Sequence, residues 1–86
     1  MFVILTYDVG VKRNAKVLKE CRRYLIHVQK SVFEGDLSEK QLKIIKERLQ
    51  KNIDSQNNQI AIYKFLGKGK IEKEIIGYHI SQDNII

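Results

Sequence analysis

The sequence has few of the features that cross-link a chain or attach it to a membrane. Its one cysteine, Cys21, excludes an internal disulfide framework. The longest apolar run, Phe2–Tyr7, is far too short to span a bilayer, and it lacks the basic lead and small-residue cleavage site of a signal peptide. The glycines of Gly67–Lys70 have neither the spacing nor the following helix of a Walker loop. We therefore expect a cytoplasmic protein without membrane contact or ATP chemistry.

The length predicts a single small domain that needs help to be stable. A chain of 86 residues hides only about 60–65% of its unfolded surface, so its stability is marginal unless something is added. Because a disulfide framework is excluded, we expect the chain to form a dimer.

The charge balance points to a polyanionic partner. Sixteen Lys and Arg residues against ten Asp and Glu residues give a net charge of +6. Such an excess favours binding to nucleic acid. A charged fraction of 30% beside a hydrophobic fraction of 43% is typical of a globular chain rather than a disordered one.

The hydrophobic pattern predicts two helices among short strands. A helical stripe follows the first strand from residue 13 to 27, and Ser38–Gln41 fits a capping box that begins the second helix. Residues 27–37 between them favour two short strands that bend near Gln29, although one bowed strand is an alternative. The predicted strands are Phe2–Tyr7, two within His27–Leu37, Ile60–Leu66 and Ile71–Gly77.

The order of these elements predicts a ferredoxin-like α+β fold, β-α-β-β-α-β, with an extra C-terminal strand. Right-handed crossovers place both helices on one face of the antiparallel sheet. The other face needs a cover, and a second copy of the chain is the simplest one. We place this domain at residues 1–78 and a C-terminal tail at residues 79–86.

Asp8 is the candidate metal ligand. It ends a buried strand just before Gly10, where it is either a turn residue or a ligand for a hard cation such as Mg²⁺ or Mn²⁺. One carboxylate holds a metal poorly. Two copies of Asp8 facing each other across a dimer axis would repel, and this repulsion would favour a cation between them.

The first helix carries a basic stripe. Only Glu20 provides a local countercharge, so we favour contact with phosphates over the alternative of a solvated helix face. Cys21 lies in the apolar stripe of the same helix, where it is expected to fill the core. The stripe comprises Lys12, Arg13, Lys16, Lys19, Arg22 and Arg23.

Three segments together resemble the family of CRISPR-associated protein 2, the small component of the spacer-acquisition machinery. They are Tyr7–Asp8 at the end of the first strand, the basic start from Lys12 to Val17, and Gln29–Gly35 after the first helix. The resemblance runs from about residue 1 to residue 78.

The resemblance implies a ferredoxin-like homodimer in which the last strand, Ile71–Gly77 here, crosses to extend the sheet of the partner. The family's acidic residue after the first strand binds a divalent metal between protomers, and this role falls on Asp8. Family positions around that site fall on Tyr7, Arg13, Ser31 and Phe33. His27 stands where many members have arginine.

Three functions follow. The first is a metal-dependent endonuclease on RNA or double-stranded DNA, in which Asp8 holds Mg²⁺, Arg13 neutralises the phosphate and Ser31 orients it. The second, which we favour as the cellular role, is a scaffold that holds duplex DNA by its backbone beside the CRISPR-associated integrase. The third is a ferredoxin-like regulator or toxin-type ribonuclease outside CRISPR, against which the Gln29–Gly35 segment argues.

Overall fold

The computed structural model describes residues 1–78, and the predicted C-terminal tail, residues 79–86, lies outside them. Two helices and five strands make up the described chain. In chain order they are β1 (Phe2–Asp8), α1 (Val11–Arg22), β2 (Ile26–Gln29), β3 (Val32–Asp36), α2 (Glu39–Asn52), β4 (Gln59–Gly67) and β5 (Lys70–Gly77).

Helix α1 is shorter than the predicted segment of residues 13–27. It begins two residues earlier and ends at Arg22. The carbonyl oxygen of Cys21 accepts the amides of both Tyr24 and Leu25, at 3.2 and 2.9 Å, and this closes the helix in a turn. The apolar residues Leu25 and Ile26 extended the helical pattern, but they belong to that turn and to β2.

The two short strands predicted after α1 are both present. β2 and β3 pair antiparallel around Lys30 and Ser31, so one bowed strand is excluded. The predicted start of α2 is also confirmed. The Ser38 hydroxyl accepts from the Gln41 amide at 3.1 Å, and the Gln41 side chain accepts from the Ser38 amide at 3.0 Å.

The five strands form one antiparallel sheet in the order β2-β3-β1-β4-β5. The first four have the ferredoxin-like arrangement that the sequence predicted. In this single chain, β5 pairs with β4 from Gln59 opposite Gly77 to Gly67 opposite Lys70. The exchange of this strand between protomers stays a prediction.

The core lies between the sheet and the two helices. Val3, Leu5 and Tyr7 alternate along β1 and point into it, while Val17 and Cys21 contribute from α1. We call the opposite side of the sheet the distal face. The side chains that define it are those of Phe2, Ile4, Thr6 and Asp8 on β1, Ala61, Tyr63 and Phe65 on β4, and Ile71, Lys73 and Ile75 on β5.

Neither helix of the described chain has the length and apolar character that crossing a membrane requires. The cytoplasmic location expected from the sequence stays a prediction.

Candidate nucleic-acid and metal site

Asp8 stands at the end of β1 and at the edge of the distal face. The burial of β1 alternates strictly, with Val3, Leu5 and Tyr7 buried and Asp8 exposed at the end of the opposite row. Its backbone is still paired, opposite Gln59 of β4. The strand therefore fixes the position of Asp8, while its carboxylate is free to meet solvent or a ligand.

A shallow surface cavity of about 230 Å³ brings Asp8 and its neighbours together with residues from two other parts of the chain, α1 and the β2–β3 turn. The Tyr7 amide donates to the Ser31 carbonyl oxygen at 3.1 Å, and this bond ties the β2–β3 turn to the end of β1. Carboxylate, hydroxyl and amide oxygens thus share one cavity, and these are the ligands that hard cations prefer. The lining residues are Tyr7, Asp8, Val9, Asn14, Lys30 and Ser31.

The family resemblance also places Tyr7 and Phe33 around this site. Phe33 lies beneath the cavity in the core, and the largely buried Tyr7 contributes to its lining. Phe33 is 0% exposed and Tyr7 is 7% exposed. Their rings stack with centroids 6.2 Å apart. Burial raises the pKa of the Tyr7 phenol. In the described chain these rings are therefore placed to support the site and not to stack on bases at the surface.

Arg13 lies in a different cavity from Asp8. That cavity of about 350 Å³ is formed by the start of α1 and by Asp54 and Asn58 of the loop before β4. The side chain of Asn57 donates a hydrogen bond to Asp54 at 2.7 Å, and this bond is the main cause of the lowered pKa of the Asp54 carboxyl. The Gln56 amide and the positive charge of Arg13 lower that pKa further. The structure thus separates Arg13 from the Asp8–Ser31 cavity.

The basic stripe predicted on α1 lies on the surface. Lys12, Lys16 and Lys19 are exposed along one side of the helix. Arg23, just beyond the helix, is partly neutralised, because its guanidinium lies 3.5 Å from the carboxylate of Glu20. Arg48 of α2 reaches the same carboxylate at 3.6 Å. Arg23 is therefore the one member of the stripe that forms an ion pair within residues 1–78.

A metal site within one chain would rest on Asp8 alone. In residues 1–78, no three His, Cys, Asp or Glu side chains come together as a metal-binding cluster. The oxygen ligands beside Asp8 fit Mg²⁺ or Mn²⁺, but a single carboxylate provides half of the charge that a divalent cation requires. The residues therefore fit a metal as a half-site that a second copy would complete.

The sequence prediction missed two polar residues of the Asp8 cavity, Asn14 and Lys30. Asn14 follows Gly10 by one helical turn and reaches the cavity from α1. Lys30 lies inside the Gln29–Gly35 motif, and this was the one sequence feature that could have placed it at the site. The prediction for Cys21 agrees with the structure, since its side chain is fully buried and burial raises the pKa of its thiol to about 12.

Comparison with known proteins identifies the family of this chain. The profile described as "CRISPR associated protein Cas2" matches residues 1–74. The chain belongs to the CRISPR-associated protein Cas2 family. Membership in this family agrees with the resemblance carried by Tyr7–Asp8 and Gln29–Gly35.

Individual relatives match over most of their length. A protein of Frankia alni named CRISPR-associated endoribonuclease Cas2 is 37% identical over all of this chain and all of its own. A protein of the same name from Pyrococcus furiosus is 45% identical over 74% of this chain and 75% of its own. A crystal structure titled as that of cas2 superposes with a TM-score of 0.75 at 37% identity, covering 94% of this chain and 85% of its own.

Proposed function

We propose that this chain acts in CRISPR spacer acquisition as a homodimer that binds duplex DNA by its backbone and scaffolds the CRISPR-associated integrase. The observation that carries the proposal is the row of three exposed lysines on α1. Within residues 1–78, Lys12, Lys16 and Lys19 form no ion pair with a carboxylate. Their charges are therefore available for a polyanion.

The geometry of the lysine row suits a phosphate backbone. Residues 12, 16 and 19 follow one side of the helix, and at 1.5 Å per residue the row is about 10 Å long. Successive phosphates of one DNA strand are separated both along the duplex axis, by about 3.4 Å, and around it, so a row of this length faces about two of them. Contacts of this kind carry no sequence information. The proposed binding is accordingly tolerant of sequence and weakened by salt.

The distal face supports the homodimer. It carries the side chains of Phe2, Ile4, Tyr63 and Phe65, on the side of the sheet away from both helices. Burial of such a surface against its own copy would remove apolar area from water, which contributes about 25 cal/mol per Å². Asp8 ends the same row of side chains, so a two-fold axis near this end of the sheet would bring both Asp8 carboxylates together.

The integrase partner is proposed from family membership together with this symmetry. A two-fold dimer presents the same surfaces twice, so it can hold a duplex in the middle and one integrase copy at each end. The direct test is binding of duplexes of unrelated sequence over a range of salt concentrations. Equal affinities that fall steeply with salt support the proposal, and binding restricted to one sequence contradicts it.

A second candidate function is metal-dependent cleavage of RNA or double-stranded DNA. The observation in its favour is the Asp8 cavity with Lys30 and Ser31, and the Frankia alni and Pyrococcus furiosus relatives are named endoribonucleases. A divalent cation bound there would supply an activated water and neutralise phosphoryl charge. Asp8 would hold the cation, Lys30 would attract the phosphate, and the Ser31 hydroxyl would orient it by hydrogen bonding. Arg13, in the neighbouring cavity, would neutralise the adjoining phosphate.

A further inference from the structure

We infer that His27 is a positioning residue that, together with Tyr7, holds the Lys30 carbonyl and so fixes the β2–β3 turn beside Asp8. The inference deepens the proposed function, because that turn brings Lys30 and Ser31 to the candidate metal and phosphate site. His27 itself is not among the residues that line the cavity.

Three rings on neighbouring strands form one stack. The His27 ring lies parallel to that of Phe33, with centroids 4.5 Å apart and an interplanar angle of 12°. The Tyr7 ring stacks on Phe33 from β1, with centroids 6.2 Å apart. Phe33 belongs to β3, the strand between β2 and β1. The buried phenylalanine therefore sets the positions of both outer rings.

The polar ends of the outer rings converge on one oxygen atom. His27 Nε2 lies 3.1 Å from the carbonyl oxygen of Lys30, and the Tyr7 hydroxyl lies 3.4 Å from the same atom. A carbonyl oxygen has two lone pairs and can accept both bonds. Because that oxygen only accepts, His27 must carry a proton on Nε2. The shorter distance makes His27 the stronger of the two donors.

This arrangement links the aromatic stack to the site. The Lys30 carbonyl is held by His27 and Tyr7, and the next carbonyl, that of Ser31, accepts from the Tyr7 amide at 3.1 Å. Two successive peptide groups of the turn are thus bonded to neighbouring strands. Tyr7 and Phe33 contribute to the site through this turn.

The test uses two variants, His27→Phe and Tyr7→Phe, alone and combined. Each keeps an aromatic ring at its position and removes the hydrogen-bond donor to the Lys30 carbonyl. Tyr24→Phe, a half-buried tyrosine outside the stack, is the matched control. We expect ¹⁵N NMR of neutral His27 to show the proton on Nε2. We expect hydrogen exchange of the Tyr7 amide to accelerate about 2- to 10-fold in His27→Phe and by a smaller factor in Tyr7→Phe. In the double variant, the acceleration should exceed the product of the factors for the two single variants.

A His27 proton on Nδ1, or an exchange rate in the double variant no faster than in the control, would overturn the inference. Broadening of the Ser31 amide by Mn²⁺ tests the proposed site separately. If the wild type shows no broadening, the metal proposal fails, while the tautomer and the exchange rates still decide the role of His27. If the wild type is broadened, we expect the double variant to lose most of that broadening at Ser31, and unchanged broadening would refute the positioning role.

Discussion

Phe2 and Phe65 are cross-strand partners on the distal face, and their ring centroids lie 5.7 Å apart. The tilt of 56° between the rings is one that aromatic pairs favour. The pair stands on the side of the sheet away from both helices, in line with Ile4 and Tyr63. It is therefore part of the apolar surface that we propose for the homodimer, at the end of β1 away from Asp8.

We predict that Phe65→Ser converts the proposed homodimer to a monomer, because it removes an aromatic ring from that surface. Sedimentation velocity at several protein concentrations measures the change. The control is Leu66→Ser, which removes a more exposed apolar side chain from the next residue of β4. A Phe65→Ser protein that stays dimeric would contradict the use of the distal face.

Gly77 has a conformational role at the end of β5. Its φ of +96° lies in the region that favours glycine, and a side-chain carbon there would collide with the carbonyl oxygen of Asn58. Gly67 has a similar φ of +88° but open space around it. We predict that Gly77→Ala lowers the free energy of unfolding by at least about 1 kcal/mol more than Gly67→Ala does. Denaturant unfolding measures both, and equal losses would show that the close approach to Asn58 costs nothing.

Glu74 links β5 to α2 and to β4. Its carboxylate lies 2.8 Å from the ammonium of Lys46 and 3.0 Å from that of Lys64. The hydrogen bond from Lys46 is the main cause of a lowered pKa at Glu74, with Lys64 adding to it. A lowered pKa in the folded state means that these contacts stabilise the fold above the ordinary value of 4.5, and that the gain is lost as pH falls through the lower folded value.

We predict that Glu74→Gln destabilises the protein by about 0.5–1 kcal/mol at neutral pH and by much less near pH 2.5. The control is Glu72→Gln, whose carboxylate contacts Lys64 at 3.3 Å with a more exposed side chain, and whose substitution should cost less at neutral pH. Chemical unfolding at the two pH values measures the difference. A cost for Glu74→Gln that does not change with pH would contradict the assigned ion pairs.

Asp8→Asn separates the two proposed activities. It removes the carboxylate charge with little change of shape, so we predict loss of Mg²⁺-dependent cleavage and retention of duplex binding. Asp36→Asn is the control, because Asp36 is an exposed carboxylate at the end of β3, paired with Phe2 at the other end of β1. Cleavage that survives in Asp8→Asn at matched purity would remove Asp8 from the chemistry. Loss of binding would show that Asp8 also serves the duplex interface.

Local patterns predicted most of the fold. The capping box at Ser38 and the alternation along β1 depend on neighbours in sequence, and both were read correctly. The end of α1 was not, because Leu25 and Ile26 continue a helical apolar pattern. What ends the helix is the turn after Cys21, together with pairing of Ile26 opposite Glu34, and no local pattern specifies that pairing.

The candidate site was predicted less completely. Asp8 and the exposed lysines of α1 could be assigned from position and charge. The separation of Arg13 from the Asp8 cavity could not, since it depends on how α1 lies against the loop before β4. The bonds from His27 and Tyr7 to the Lys30 carbonyl were equally out of reach, because they require three strands to be aligned in register.

The most direct test of the central claim is the salt dependence of duplex binding. The wild type, a Lys12→Gln/Lys16→Gln/Lys19→Gln variant of α1 and a Lys40→Gln/Lys43→Gln/Lys51→Gln variant of α2 would be compared on the same duplex. The two variants lose the same charge from exposed helix positions. We predict that the α1 variant binds more weakly and that its slope of log K against log salt is shallower by about 0.9 for each lost phosphate contact. The α2 variant should keep the wild-type slope. Equal slopes for the two variants would contradict the assignment of α1 as the surface that binds the duplex.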